Sequence, residues 1–343
     1  LVVGLWLTAA GSRAVDAQDI FDSSGHGAAV GFEPFTDATT GGAAPAFSLD
    51  DGVRPAAALA PAEPLAPGLG PTTEFLGPPS PEVPPAKSLS FWHSRRATLT
   101  WLSKGGADGF GTTDLELATS LAPIYFDEQP ALLITPGFGW HFWNAPAGLE
   151  LPSQVYDAYL DVAWRTPLTD RWGFAAGVTP GWYSDFQTVN SDAFQITGWA
   201  TADVTLTPTV TLVGGVAVVR QLESSVLPVG GVIWSPDEAT RVELLVPRVR
   251  LARRIRSGRR GDLWTYVSGQ FGGGSWAITL ADETTTLVTY SDLRAAWGLE
   301  WVGTGRFSAV AEIGYVFYRD IRAFDVSQFS PDDAVMLRVG GNF

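Results

Sequence analysis

The sequence predicts an all-β fold: an antiparallel up-and-down β-barrel of about fourteen strands (twelve also fits), transmembrane, with a disordered N-terminal extension. Three observations predict it. From Arg95 onward, short runs alternate apolar and polar residues with a period of two, which is the mark of a strand with two unlike faces. Aromatic residues sit at the ends of the apolar faces: Trp172 and Trp182 bracket one run, Phe307 and Phe317 another. The connectors between runs alternate between short and long, as a barrel with two unlike rims requires.

Composition agrees. Charged residues make up 17% of the 343 residues and hydrophobic residues 45%. Ordinary soluble domains carry about 25% charged residues, so this is not a typical soluble surface. After the first few residues no run reaches the roughly 18 apolar residues of a membrane helix. The chain has no cysteine, which excludes a disulfide framework and thiolate metal sites. Its net charge of −14 leaves no general basic field for nucleic acid, so none is expected as a partner.

Residues 1–17 read as the remnant of a signal peptide. Leu1-Val2-Val3-Gly4-Leu5-Trp6-Leu7 is a short apolar run, and Val15-Asp16-Ala17 places small residues before a cut at Gln18. An N-terminal core strand or helix is the other reading of the run. Residues 18–92 read as a disordered, polyproline-like periplasmic linker. Pro61-Ala62-Glu63-Pro64 and Gly77-Pro78-Pro79-Ser80-Pro81 lack backbone donors or cost entropy on ordering. A plug folded into the barrel is the alternative for part of this segment. Residues 93–343 form the barrel.

Strands are expected near 95–103, 114–122, 131–143, 155–166, 171–182, 194–206, 209–219, 226–234, 240–255, 263–271, 275–281, 290–302, 306–318 and 335–343. The run 155–166 puts Tyr156, Ala158, Leu160, Val162 and Trp164 on one face, and Asp157, Tyr159, Asp161 and Arg165 on the other. In 290–302, Leu293, Trp297 and Trp301 oppose Asp292, Arg294 and Glu300. Ten residues at about 3.3 Å each, tilted about 45°, rise roughly 23 Å, close to the apolar band of a membrane barrel. Tight connectors are expected at Pro167 to Asp170, Thr207-Pro208, Gly272-Gly273-Gly274 and Gly303-Thr304-Gly305. Longer polar ones are expected at Ser103 to Thr113, Asn144 to Gln154, Tyr183 to Asp192 and Arg319 to Asp333. The stretch 209–281 is the least regular, since two short hairpins there could be one longer pair.

The last strand alternates Val335, Leu337, Val339, Gly341 and Phe343 against Met336, Arg338, Gly340 and Asn342. With its terminal Phe343, it resembles the β-signal of bacterial outer-membrane β-barrel proteins, and residues 93–343 resemble the uncharacterised, porin-like families of such barrels. The resemblance implies the bacterial outer membrane as location and outer-membrane lipids as surroundings. It also implies recognition by the barrel assembly machinery through Phe343, Val339 and Leu337. The strand is expected to pair with the first, with Leu337 and Val339 facing lipid beside Leu99 and Trp101.

The candidate lumen residues are Arg248, Arg250, Arg254, Arg256, Arg294, Arg338, Asp157, Asp161, Asp203, Glu300 and Glu312. The phase slips at Pro247, which reads as a β-bulge, and the arginine row is expected to point inward and then rise above the membrane. Such a row favours anions. The competing expectation is that the arginines pair with the inward acids, Asp114 and Glu116 included, and fill the barrel, because buried charge without a partner is costly. His141, in Trp140-His141-Phe142-Trp143, is expected near the outer rim. Asp157 and Asp161 lie nearby, but no motif marks a nucleophile. Three scattered histidines give no metal-ligand spacing. The acid pairs Asp127-Glu128, Asp237-Glu238, Asp282-Glu283 and Asp332-Asp333 fall in connectors and read as solvated loop charge. No catalytic residue, metal or cofactor is expected. The function expected is a passive pore for small solutes with an anion bias; the alternatives are a structural, adhesion or receptor barrel with an ion-paired closed lumen and, resting only on His141, an outer-membrane hydrolase.

Overall fold

The computed structural model describes residues 91–343, except 107–108, 127–128, 147–148, 150, 188–190, 221–223, 281–282, 304–306 and 324–325. The signal-peptide and linker expectations for residues 1–90 lie outside the described residues, as do Asp127, Glu128 and Asp282.

The described chain is a closed antiparallel barrel. Its strands are β1 (Trp92–Leu102), β2 (Gly111–Phe126), β3 (Gln129–Asn144), β4 (Gln154–Pro167), β5 (Trp172–Ser184), β6 (Phe194–Thr207), β7 (Val210–Arg220), β8 (Ser224–Asp237), β9 (Thr240–Val246), β10 (Arg248–Gly258), β11 (Gly261–Thr279), β12 (Thr285–Gly303), β13 (Ser308–Ala323), β14 (Val326–Phe329) and β15 (Ala334–Asn342). Neighbours in sequence pair throughout, except that β13 pairs with β15, and β15 with β1, which closes the ring. The short β14 folds back on β13 alone, so fourteen strands form the wall.

The wall is apolar outside and polar inside, the reverse of a soluble protein. Trp101, Trp140, Trp164, Trp172, Trp182, Trp234 and Trp297 are among the exposed large hydrophobic side chains. Facing inward, Asp157, Arg250, Glu300 and Arg338 are buried. An exposed apolar surface of this extent is solvated by hydrocarbon, not water, and closure leaves no sheet edge without partners, as a bilayer requires. The last strand behaves as expected: Leu99 pairs with Val339 and Trp101 with Leu337, all four exposed on the outside. Backbone bonds between Arg95 and Phe343 extend the seam to the last residue.

Two expectations near the middle of the chain are corrected, and they cancel in the strand count. Pro247 is not a bulge within one strand. The Val246–Pro247 peptide is cis, and the chain reverses there, pairing Val249 with Leu244 and Leu251 with Val242. The phase slip seen in sequence was a hairpin whose turn is too short to show a Gly or Asn signal. Conversely, Gly272-Gly273-Gly274 is not a connector. β11 runs through it, paired without interruption to β12 from Gly261↔Gly303 to Thr279↔Thr285. Glycine serves here as a bend: Gly273 has φ +110, and a Cβ there would lie 2.0 Å from the Tyr290 carbonyl oxygen. The hairpin at Pro247 also reverses the direction of β10. Arg254 and Arg256 therefore lie toward the short Gly258–Gly261 turn, not above the rim with the longer connectors.

Above its glycines β11 leaves the line of β10 and reaches β5. Ala277 pairs with Ser184 in parallel, the Asp185 amide donates to the Ala277 carbonyl at 3.2 Å, and the Thr279 amide donates to Asp185 Oδ2 at 2.8 Å. Gln195 Nε2 donates to the Ser275 carbonyl at 2.9 Å. At the long-connector end the ring is thus pinched by this arm of β11, and β6–β10 stand outside it.

Inside the wall, aromatic rings lie over glycines on the paired strand. Tyr159 pairs with Gly137, Trp199 with Gly177 and Tyr266 with Gly298. A Cβ on Gly298 would lie 2.4 Å from Tyr266 Cζ, and Tyr266 is held by a 2.6 Å hydrogen bond to Glu312. Gly298→Val is therefore expected to destabilise the barrel by about 1–3 kcal/mol, the cost of overpacking. A lower urea midpoint of the folded, heat-modifiable band after refolding into detergent would register it; an unchanged midpoint would mean that the ring yields freely.

Candidate functional site

The interior holds two layers. Toward the long connectors lies an aromatic core of Phe110, Trp143, Tyr159, Tyr183, Trp276 and Tyr290, with Val155, Ile278, Val288 and Ile321. Trp143 and Trp276 meet edge to face at 5.2 Å between centroids, and Phe110 lies 5.5 Å from Tyr290. Sequence reasoning missed this layer. Tyr183 and Trp276 fell at the margins of expected strands, while Trp143 shares the parity of His141 and could have been found from it.

Below and beside it lies a layer of charge. On the β9–β15 wall, Arg250 Nη2 donates to Glu300 at 2.9 Å and Arg241 Nε to Glu243 at 2.6 Å. Arg338 Nη1 donates to Glu312 at 2.6 Å. The Tyr266 hydroxyl gives Glu312 a second bond, and its ring lies 3.8 Å beneath the Arg250 guanidinium. Arg294 Nε binds Asp292 at 2.7 Å. Across the barrel on β1–β4, Arg96 Nη2 donates to Glu116 at 2.8 Å, and the Tyr159 hydroxyl donates to the same oxygen.

His141 is buried between two carboxylates, Nδ1 to Asp114 and Nε2 to Asp157, both at 2.9 Å. Trp276 Nε1 donates to the other oxygen of Asp157 at 2.7 Å. This links β2, β3 and β4 to the β11 arm. With both ring nitrogens committed, the imidazole presents neither acid nor base to a substrate in this arrangement.

Each expected lumen residue can now be placed. Arg248, Arg250, Arg294, Arg338, Asp157, Glu300 and Glu312 are buried in the interior. Asp161, accepting a 2.8 Å bond from Thr179, and Asp203 are half-buried on the β4–β6 side. Arg254 meets Asp262 at 3.0 Å near the short turn. Arg256 is exposed past a register shift between Arg254 and Arg256. Arg319, expected in a connector, is instead buried. A bulge places Tyr318 and Arg319 opposite Asp292, with Tyr318 at φ +50. The bulge turns Tyr318 outward and aims Arg319 at Tyr290 and the Phe110 carbonyl. Among the described residues, no group of three or more His, Cys, Asp or Glu could hold a metal ion.

No curated protein matches the chain. Among solved structures, a bacterial polysaccharide outer-membrane secretin is similar at 10% identity and a TM-score of 0.39, over 75% of this chain and 99% of that one. The NanC porin is similar at 10% identity and 0.36, over 73% and 98%, and LpxR from Salmonella typhimurium at 10% and 0.36, over 73% and 99%. These distant likenesses bear on no individual site. A family model described as "Domain of unknown function (DUF6268)" matches residues 144–328.

Proposed function

Since the chain belongs to the DUF6268 family, whose description assigns no activity, we propose its function from the geometry: an outer-membrane β-barrel that passes small solutes through a constricted, charge-lined interior. One observation carries this reading. Arg250–Glu300, Arg338–Glu312 and Arg96–Glu116 are buried inside a barrel whose outside is apolar. Filling the same space with apolar side chains would stabilise a merely structural barrel at least as well. Ionisable groups kept at membrane depth mark solute and ion pathways.

The pairing revises the expected selectivity. The arginines are not a bare cationic ladder, and Asp114, Glu116, Asp157, Asp161 and Asp203 occupy the β2–β6 side. The inward acids named here outnumber the inward arginines, so the arrangement carries no anion preference. On this reading the aromatic layer narrows the axial route, and passage involves movement of the β11 arm off β5. The terminal strand, with Leu337, Val339 and Phe343 outward, serves as the recognition element for assembly into the membrane.

Planar-bilayer recording tests the proposal. Folded protein is expected to give small, intermittent conductance steps without a preference for anions. Folded protein that never conducts would sink the channel reading. The aromatic layer favours, in that case, the second reading: a structural or receptor barrel with a permanently closed lumen.

A further inference from the structure

We propose that the turn end of β10 and β11 is an interaction surface for the phosphate headgroups of anionic phospholipids, formed by Arg253, Arg256, Arg259 and Arg260. The surface lies outside the barrel at the short-connector rim. It goes beyond the channel reading and stands whether or not the barrel conducts.

The segment from Arg248 to Arg260 holds seven arginines and no acid, in a chain of net charge −14. The wall divides this row. Arg248 and Arg250 are buried inside. Arg253 has the opposite parity, that of Val249 and Leu251, which are exposed on the outer face. Arg256 would return to the interior if the strand ran on unbroken. The register shift between Arg254 and Arg256 prevents this: Ile255 is an extra residue in β10, and Arg256 pairs with Leu263. Leu263 pairs in turn with Trp301, whose ring lies 5.4 Å from that of the exposed Phe307. Directly paired strand residues share a face, so Arg256 stands on the outside, level with aromatic residues. Arg259 and Arg260 follow in the turn, both exposed.

The acids of this corner are engaged elsewhere. Asp262 accepts from Arg254 at 3.0 Å and from Ser257 at 2.7 Å, and Glu238 lies 3.6 Å from Arg254 as well. Asp237 accepts from the Ala239 amide in its own turn at 2.7 Å. Among the described residues, none of the four outer arginines makes an ion pair. A guanidinium on a lipid-facing wall is costly in hydrocarbon and is tolerated near the interface. There a long stem lies along apolar neighbours, such as Ile255 and Leu263, while the charged head reaches the headgroups. The planar fork matches a phosphate in pairs. Salt screens charge beyond about 8 Å, so distant acids do not cancel a local cluster.

The test refolds the full chain in a nonionic detergent and titrates it with dioleoyl phosphatidylglycerol and, separately, with dioleoyl phosphatidylcholine. Retained lipid is counted by native mass spectrometry. The native protein is expected to hold phosphatidylglycerol about tenfold more tightly or better, given roughly fivefold for each basic group at an anionic surface. Arg253→Gln, Arg256→Gln, Arg259→Gln and Arg260→Gln together should abolish the preference. Arg259→Gln with Arg260→Gln leaves the wall untouched and should lower it severalfold, so the proposal remains testable if the fourfold variant folds poorly. Arg171→Gln, in the turn between β4 and β5 on the same rim, should leave it unchanged. Equal retention of the two lipids by the native protein would overturn the surface, as would a loss in the Arg171 variant matching that of the turn double variant. Displacement of the phosphatidylglycerol by equimolar inorganic phosphate would also overturn it, making the cluster a site for free anions.

Discussion

Ser184→Cys combined with Ala277→Cys is expected to reduce conductance to the bilayer baseline when oxidised, and to restore it on reduction. The two residues are register partners in the parallel contact between β5 and the β11 arm, and adjacent strands lie about 4.8 Å apart, within the span of a disulfide. The chain has no cysteine of its own, so the new pair has no competitor. Among the described residues, the polar ties of the arm to the wall include the Asp185 contacts, Gln195 to the Ser275 carbonyl, and Trp276 to Asp157. Behind it lie three glycines where it can bend. If the arm is the gate, fixing it to β5 holds the aromatic layer shut. Equal conductance in oxidised and reduced protein would show that solutes take another route.

Glu312→Ala is expected to be the most destabilising single change in the charged layer, by about 3–5 kcal/mol, because it strips a buried arginine of its carboxylate. Glu312 accepts from both Arg338 and Tyr266, and Arg338 sits on β15, the strand that closes the ring. The loss therefore falls on the seam, and a shift in the urea midpoint of folding in lipid vesicles would measure it. Glu312→Leu with Arg338→Met should recover most of the stability, since apolar replacement of a buried pair is often neutral or better. Failure of that double variant to recover would mean that the charges orient the seam as well as fill it.

The alternation of Leu160 and Trp164 against Asp157 and Tyr159 was legible because strand side chains change sides at every residue. That holds whatever surrounds the strand. The pairing of β15 with β1 was legible for a related reason: a closed ring leaves the first and last strands only each other. The charged layer was visible as residues but not as pairs. Nothing local says that Arg250 reaches past β11 to Glu300, or that Tyr266 crosses to Glu312. Arg319 was hidden by the bulge at Tyr318, which changes which side a residue faces without changing its type.

What the sequence determined by itself is the closed β-barrel with its apolar outer face and its parity of short and long connectors, because both follow from a two-residue period and the chemistry of turns. What only the tertiary structure decided is the hairpin at Pro247, the unbroken strand through Gly272–Gly274 and the arm that closes on β5. The physical reason is that a phase slip fits a bulge and a reversal equally, and a glycine run fits a turn and a bend equally. The choice is made by which backbone lies alongside: β9 pairs back on β10 because the chain returns at Val246–Pro247, and β11 continues because β12 pairs with it across the glycines.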